Sequence, residues 1–353
     1  MPYLCDVATV FPRHNYKQQE IFEGIKKYYE KYISNMKRIE SIFNNTKVES
    51  RHLALEIEEY LIPRGFEEKN NLWKKNAIEL GEKVVSKLLN KMNISPEEIN
   101  LFSFNSVTGI SVPSVDAFLI NKMNFSPKVK RVPLFGLGCL SGVAGLHQSI
   151  DYLVGHPKEN ALFLSTEFCS LTLQLQDISV ANIISAALFA DGVAAVLLCG
   201  DESPLVSKSK MKFKAHDQLF FKDTNGVMGW DIIDSGFKIV LTDEVPTVAK
   251  DRVSPFIRDF LKNEQVPQSD IGAYLIHPGG PKILTAFEEA LELQEKDLRY
   301  TLANLAKNGN MSSVSILSIM EDFLLSEKND SSHTLMTAMG PGFSAQVSLW
   351  ERL

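Results

Sequence analysis

Cysteine is scarce and scattered in this sequence: Cys5, Cys139, Cys169 and Cys199 are its four, and no two form a CxxC pair. That spacing excludes a disulfide framework and a zinc site of clustered thiols, and it points to a reducing, cytoplasmic setting. Long apolar runs are missing as well. No segment reaches the ~18 uninterrupted apolar residues that a membrane-spanning helix needs, so no membrane span is expected. The opening stretch MPYLCDVATVFPRHNYKQQE has no basic segment leading into an apolar block, the form of a secretory leader. Excess positive charge is absent too: the formal net charge is -6, which gives nucleic acid no whole-molecule attraction. There is no low-complexity tract and no short-period repeat.

What is present is the make-up of an ordinary soluble globular protein, 353 residues long, 44% hydrophobic and 23% charged. That length permits two domains and a substantial buried core, so stability needs no crosslinks. Residues 17 to 100 are rich in Lys, Glu and Asn, with apolar residues at helical intervals as in EGIKKYYEKYISNMKRIESIF and NAIELGEKVVSKLLNKM; mostly amphipathic helices are expected there. From about residue 101 short apolar runs (LFSFNSV, ALFLSTEF, AAVLLCG) alternate with helical patterns, the texture of a layered α/β fold. The polar, turn-rich stretch GDESPLVSKSKMK marks a boundary near residues 200 to 212. The halves on either side share a loose likeness: strand, short turn and helix, with a reactive residue at the turn.

In VPLFGLGCLSGVAGLHQSIDYLVG, Val132 to Leu137 reads as a buried strand, Gly136 and Gly138 permit a tight bend, and Leu140, Val143, Leu146, Ile150 and Leu153 recur at helical spacing. Cys139 is thereby placed at a helix N-terminus, where unpaired N–H groups and the helix dipole favour an anion. Its thiol is expected to ionise more readily than a free one at ~8.5. Of the seven histidines, His277 stands apart. In IGAYLIHPGGPKILTAFEEALEL it follows a strand and precedes a Pro-Gly-Gly turn and a helix with Pro281 in its first turn, a rigid place from which to address a thiolate. In LAKNGNMSSVSIL, Asn310 occupies a Gly-Asn turn before another helix, with Ser312 and Ser313 available to cap it; an Asn in such a turn often bonds only its own backbone.

Thiol, imidazole and carboxamide together serve two reaction types. In a cysteine hydrolase the histidine shuttles a proton, the asparagine orients it and water completes the reaction. In a carbon–carbon bond-forming acyltransferase the cysteine carries an acyl chain, while histidine and asparagine donate hydrogen bonds to a thioester oxygen as CO2 leaves a malonyl group. The order Cys, His, Asn does not choose between them.

The surrounding segments GLGCLSGVAG, STEFCSLTLQ, ALFADGVAAVLL, IHPGGPKIL, NGNMSSVSIL and MGPGF, in this order, resemble the chalcone and stilbene synthase family, the type III polyketide synthases of the thiolase-like condensing enzymes. FGLGC, STEFCSLT and GWDIIDSGFKIVL look like bacterial members. The resemblance implies an α/β, thiolase-like, five-layered αβαβα fold of two related halves, residues 1–208 with the nucleophilic cysteine and residues 209–353 with the histidine and asparagine, and an obligate homodimer. It implies that Cys139 carries the starter and growing polyketide, that His277 pairs with it as imidazolium, and that His277 and Asn310 stabilise the malonyl thioester enolate. Substrates would be acyl-CoA and malonyl-CoA, with no prosthetic group or metal, and the product a pyrone or a phenolic, resorcinol-type ring. Phe189 matches the family's aromatic gatekeeper between CoA tunnel and cavity. Cys169, Thr172 and Ser312 match cavity positions, Val112 the residue that crosses the dimer interface into the neighbour's pocket, and Gly340, Pro341 and Gly342 the turn that shapes the cavity floor.

The sequence departs from the family pattern in places. AMGPG stands for Gly-Phe-Gly-Pro-Gly and FADG for Phe-Gly-Asp-Gly. The second gatekeeper falls on Ile239 rather than Phe237, so fewer aromatics and a preference for aliphatic starters are expected. Arg38, Lys47 and Arg51 are the candidates for the CoA phosphates. A ketoacyl-acyl-carrier-protein synthase, typically with His-Gln-Ala-Asn where this chain reads His-Pro-Gly-Gly, ranks second, the hydrolase third, and a catalytically dead scaffold is the non-enzyme alternative.

Overall fold

A computed structural model describes residues 1–326 and 333–353. Its frame is a nine-stranded mixed sheet. The first half supplies β1 (Tyr3–Val10), the small hairpin strands β2 (His14–Lys17) and β3 (Ser50–Leu53) with helices α1 (Gln18–Tyr29) and α2 (Met36–Asn45) between them, and α3 (Phe66–Met92). It continues through β4 (Leu101–Asn105), α4 (Val115–Lys122), β5 (Lys130–Leu134), α5 (Ser141–Gly155), β6 (Asn160–Phe168), α6 (Val180–Leu188) and β7 (Asp191–Cys199). The second half begins with β8 (Met211–Phe220), the hairpin β9 (Met228–Ile233) and β10 (Gly236–Leu241), and α7 (Val245–Val248). There follow α8 (Ser254–Asn263), β11 (Ile271–Ile276), α9 (Pro281–Leu291), α10 (Arg299–Asn308), α11 (Ser313–Leu325), β12 (His333–Gly340) and β13 (Ser344–Arg352).

The strand order, β11-β12-β13-β8-β1-β7-β6-β4-β5, exposes an internal duplication. In each half the first long strand pairs antiparallel with the last (β1 with β7, β8 with β13), the last pairs antiparallel with the one before it, and that one pairs in parallel with its neighbour. The halves meet where β1 and β8 share only the pairs Tyr3↔Lys212 and Leu4↔Met211. Beyond that junction the strands diverge and enclose α5 and α11, whose residues fill one core cluster with side chains of both halves. A second cluster packs α3 and α4 on the outer face of the first half, and a third packs α8, α9 and α10 on the second. The layers are therefore αβαβα. Helix α11 is buried from Ser313 to Met320 without interruption, as a helix between two sheets must be. Helix α3 keeps the stripe Trp73, Ala77, Leu80, Val84, Leu88 inward, as its periodicity requires.

One local expectation is corrected, and two segments hold more than was read from them. The expected strand at Val132–Leu137 runs instead over Lys130–Leu134, and it is a partly exposed edge of the sheet, not a buried strand. Residues 17 to 100 contain the β2–β3 hairpin besides their helices. The first segment, read only for the lack of a leader, is a central strand whose interior residues are buried. The polar stretch near residues 200–212 links β7 to β8, the point at which the repeated topology begins again.

Candidate active site

Two helix N-termini converge at the middle of the molecule. Cys139 lies in a short 3-10 turn, Gly138–Leu140, that leads directly into α5. The turn is fixed from the other half: a Cβ on Gly340 would stand 2.3 Å from the Leu137 carbonyl oxygen, and one on Gly138 would stand 2.3 Å from Pro341 Cδ. No other residue type fits at Gly340, so the Gly-Pro-Gly turn and the cysteine turn interlock. Helix α5 approaches α11 as closely, since a Cβ on Gly142 would lie 2.3 Å from the Ser313 carbonyl oxygen. This crossing brings Cys139 Sγ to 3.4 Å from Ser312 Oγ. Ser312 itself has φ 50 and ψ -129, a conformation that L-residues rarely adopt and that marks local strain.

His277 follows the last residue of β11 and is buried, its backbone N–H donating to the Thr337 carbonyl at 3.0 Å. Neither ring nitrogen has a hydrogen-bond partner among the described residues. Asn310 stands in the turn before α11. Its Oδ1 accepts from the Ser312 backbone N–H at 2.8 Å, which leaves the two N–H groups of Nδ2 to donate elsewhere. Its backbone bridges to the end of α6, donating to the Leu188 carbonyl at 2.9 Å and accepting from Ala190 N–H at 2.8 Å.

Cys139, His277, Asn310, Ser312, Phe189, Ile239 and Pro341 all line one cavity of about 60 Å³. An outer cavity of about 520 Å³ adjoins it, sharing Ile184, Leu188, Leu241, Val245, Gly279 and Ile283, and reaches the end of α2 at Ile42, Asn45 and Thr46. The two lie side by side, the inner one reaching the sulfur. Desolvation dominates the electrostatics. Burial pushes the Cys139 thiol up to about 11, against a smaller lowering by the Ser312 hydrogen bond, so the expected readier ionisation is not what the surroundings of the sulfur give. Burial likewise pulls the His277 imidazole down to about 3. Each charge alone is penalised; a thiolate and an imidazolium formed together attract through a low dielectric, with two helix N-termini adding to the stabilisation of the anion.

Family models bear on this geometry directly. One described as chalcone and stilbene synthases, C-terminal domain, matches residues 212–349, and one described as FAE1/type III polyketide synthase-like protein matches residues 59–217. A 1,3,6,8-tetrahydroxynaphthalene synthase of Streptomyces peucetius is 37% identical over 97% of this chain and 91% of its own. The chain belongs to the chalcone and stilbene synthase family. A phloroglucinol synthase of Pseudomonas fluorescens is 27% identical over 99% of both chains. The crystal structure of 1,3,6,8-tetrahydroxynaphthalene synthase from Streptomyces coelicolor superposes with a TM-score of 0.93 at 26% identity, covering 99% of each chain. The fold is the thiolase-like α/β fold of that family, and the protein is a type III polyketide synthase, a condensing enzyme of the acyltransferase class. These relatives do not favour the ketoacyl-acyl-carrier-protein synthase reading.

Other expected positions in this type III polyketide synthase fall less simply. Cys169 lines not the catalytic cavity but a small one beside it, about 40 Å³, which Phe189 and Ser185 border from both sides. Thr172 is absent from the lining of either; its hydroxyl donates to the Cys169 carbonyl at 2.7 Å. Ser312 and Ser313 do not cap α11 with their side chains: Ser312 faces the sulfur, and Ser313 is held by Asn105, Ser165 and Glu167. Gly342 has φ 72, the left-handed turn residue after Pro341. Val112 is 94% exposed on the loop between β4 and α4. Arg38 is exposed on α2, and Lys47 is exposed just after it, next in sequence to Thr46 at the outer cavity. Arg51 is sealed inside the protein, 1% exposed, and cannot reach a CoA phosphate.

Three residues were not anticipated. Trp230 on β9 lines the catalytic cavity with its ring centroid 6.1 Å from that of Phe189; Ile239 has not left the cavity short of aromatics, because the neighbouring hairpin strand supplies one. The alternation of β9 within GWDIIDSGFKIVL was the available signal. Lys282, exposed in the first turn of α9, lines the outer cavity as a cation. Glu167 is wholly buried, accepting from Ser313, Thr108, Ser106, Asn105 and the Val107 N–H. Burial pushes its carboxyl up to about 7 despite those bonds. No pattern in the sequence distinguishes it from any strand glutamate.

Proposed function

We propose that Cys139 is the acyl-carrying nucleophile, His277 its proton partner, and Asn310 with His277 the donor pair for the thioester oxygen of malonyl-CoA. The observation that carries this reading is the shared cavity: the sulfur, an imidazole without a hydrogen-bond partner and the Asn310 carboxamide line one small space with a wide outer cavity beside it. An acyl-CoA enters past Asn45 and Thr46, with Lys282, Arg38 and Lys47 available to its phosphates. The thiol loses its proton to His277 as sulfur attacks the thioester carbon, so no isolated charge is buried; the C–S bond to CoA breaks and CoA leaves with that proton. Malonyl-CoA then loses CO2. The electron pair of the broken C–C bond passes into a thioester enolate, whose oxygen accepts from Asn310 Nδ2 and protonated or neutral His277 Nε2–H. The enolate carbon attacks the Cys139-bound carbonyl, a C–C bond forms, and thiolate is released. The extended chain, now a CoA thioester, returns to sulfur for the next round as Cys139 attacks its thioester carbon, the C–S bond to CoA breaks and CoA leaves with a proton.

The small catalytic cavity, narrowed by Trp230 and Phe189, favours a short aliphatic starter and a polyhydroxylated aromatic or pyrone product, in keeping with the relatives named as tetrahydroxynaphthalene and phloroglucinol synthases. Two copies complete the enzyme. The apolar side chains Ile110, Val112 and Phe135 stand exposed beyond the ends of the neighbouring strands β4 and β5, beside the free edge of β5, as a homodimer interface requires.

The test is a purified-protein assay with malonyl-CoA, alone and with a panel of short acyl-CoA starters. CO2 release and a UV-absorbing product are expected, and Cys139→Ala should lose the product while keeping the wild-type melting temperature. Strict dependence on acyl carrier protein, or a fully active Cys139→Ala, sinks the reading.

A further inference from the structure

Arg51, sealed in β3, has an occupation of its own. Its Nε donates to Gln18 Oε1 at 3.2 Å and a terminal nitrogen donates to the Phe189 carbonyl at 2.5 Å. Gln18, the first residue of α1, donates through Nε2 to the Ala187 carbonyl at 2.7 Å and to Thr46 Oγ1 at 3.0 Å. Ala187 and Phe189 are the last turn and C-cap of α6, where carbonyls have no helical partner and the dipole favours a cation. Phe189 there turns extended, with ψ 146, and its ring stands between the catalytic cavity and the smaller one behind it. The stem of Arg51 rests on the other half of the site: a Cβ on Gly309 would come 3.2 Å from Arg51 Cδ, and Gly309 precedes Asn310. Burying a guanidinium is costly because it strips the charge of water, so its presence calls for a structural return, and the return visible here is the fixed end of α6.

We propose that Gln18 and Arg51 form a positioning pair for Phe189 and Asn310, holding the end of α6 where the Phe189 ring closes the catalytic cavity, and thereby setting how far the chain is extended. Neither touches the reacting atoms. Loss of the pair frees Phe189 to lean into the smaller cavity, which merges the two spaces and lets longer chains accumulate. Loading of the starter, which needs only Cys139 and His277, is left intact. This rests on the polyketide synthase reading above.

The test compares Arg51→Lys, Gln18→Leu and Gln18→Glu with the wild type in three readouts: Cys139 acylation by intact-protein mass, condensation kcat, and the product mixture by mass spectrometry. Lysine has a single nitrogen where arginine reaches Gln18 and Phe189 with two, and Gln18 lines neither cavity, so its substitution acts only through its bonds. Arg51→Lys and Gln18→Leu are expected to acylate within about twofold of wild type, to lose ~10-fold in condensation kcat, and to shift the mixture to longer products. Gln18→Glu, which keeps the acceptor for Arg51 but loses the donor to the Ala187 carbonyl, should shift the mixture less than Gln18→Leu does. Unchanged mixtures in both disruptive variants overturn the inference, as do acylation and condensation falling in equal proportion. A wild-type protein that makes no product overturns the functional reading instead.

Discussion

Removing one imidazole should silence one sulfur. Burial holds the thiol up near 11 and the imidazole down near 3, and under the proposed roles Cys139 is nucleophilic only when His277 takes its proton. His277→Ala should therefore slow alkylation of Cys139 by iodoacetamide at pH 7 by ~10²-fold, measured by intact-protein mass against time; an unchanged rate means that the helix termini alone activate the sulfur. Glu167 leads to a prediction of another kind. Its carboxyl, raised from 4.5 to about 7 by burial, binds more proton in the folded than in the unfolded chain between those values. Its contribution is largest below pH 4.5 and is lost as pH rises to 7, by ~3 kcal/mol in all. Melting curves from pH 5 to 8 should flatten in Glu167→Gln relative to wild type. Asp191, raised in the same direction to about 6, leaves a residual slope.

Elements place these residues by approach, and approach is set by glycines. Helices α5 and α11 cross where Gly142 faces the Ser313 backbone, and the same crossing sets Cys139 against Ser312. Gly142→Ala puts a methyl 2.3 Å from a carbonyl oxygen that cannot swing away. The helices must part, at a cost of ~1 to 3 kcal/mol, and condensation should fall with the melting temperature even though Gly142 contacts no substrate. A variant with wild-type stability and turnover shows that the crossing has slack. The hairpin β9–β10 teaches the complementary lesson: its alternation and register put Trp230, Ile239 and Phe237 on one face, and only the packing of the hairpin sets Trp230 and Ile239 at the cavity and Phe237 against Phe66 on α3.

At the scale of the whole molecule, the unpaired edge of β5 and the exposed Val112 loop predict association. The protein at micromolar concentration should have the mass of two 39.5 kDa chains by light scattering. Val112→Asp, on a side chain that is 94% exposed in the single chain, should weaken the pair and lower turnover without lowering the stability of the monomer. A wild type that stays monomeric and fully active refutes the interface. The nine-strand order also explains why the likeness between the halves looked loose in sequence: the second half repeats the connectivity of the first, with different side chains on each strand.

Local chemistry was legible in the chain by itself. The turn–helix signals at Cys139, His277 and Asn310, the helical stripe of α3 and the layered α/β texture follow from periodicity and from glycine and proline placement, which act within a few residues of one another. Charge states and neighbours were decided only on folding. Arg51 reads as a candidate for the CoA phosphates and is instead buried, bonded to Gln18 and the Phe189 carbonyl, and the sulfur expected to ionise at a helix end meets a desolvation that outweighs the dipole. The physical reason is common to both: the energy of a charge depends on what surrounds it on every side, and those surroundings come from segments distant in sequence.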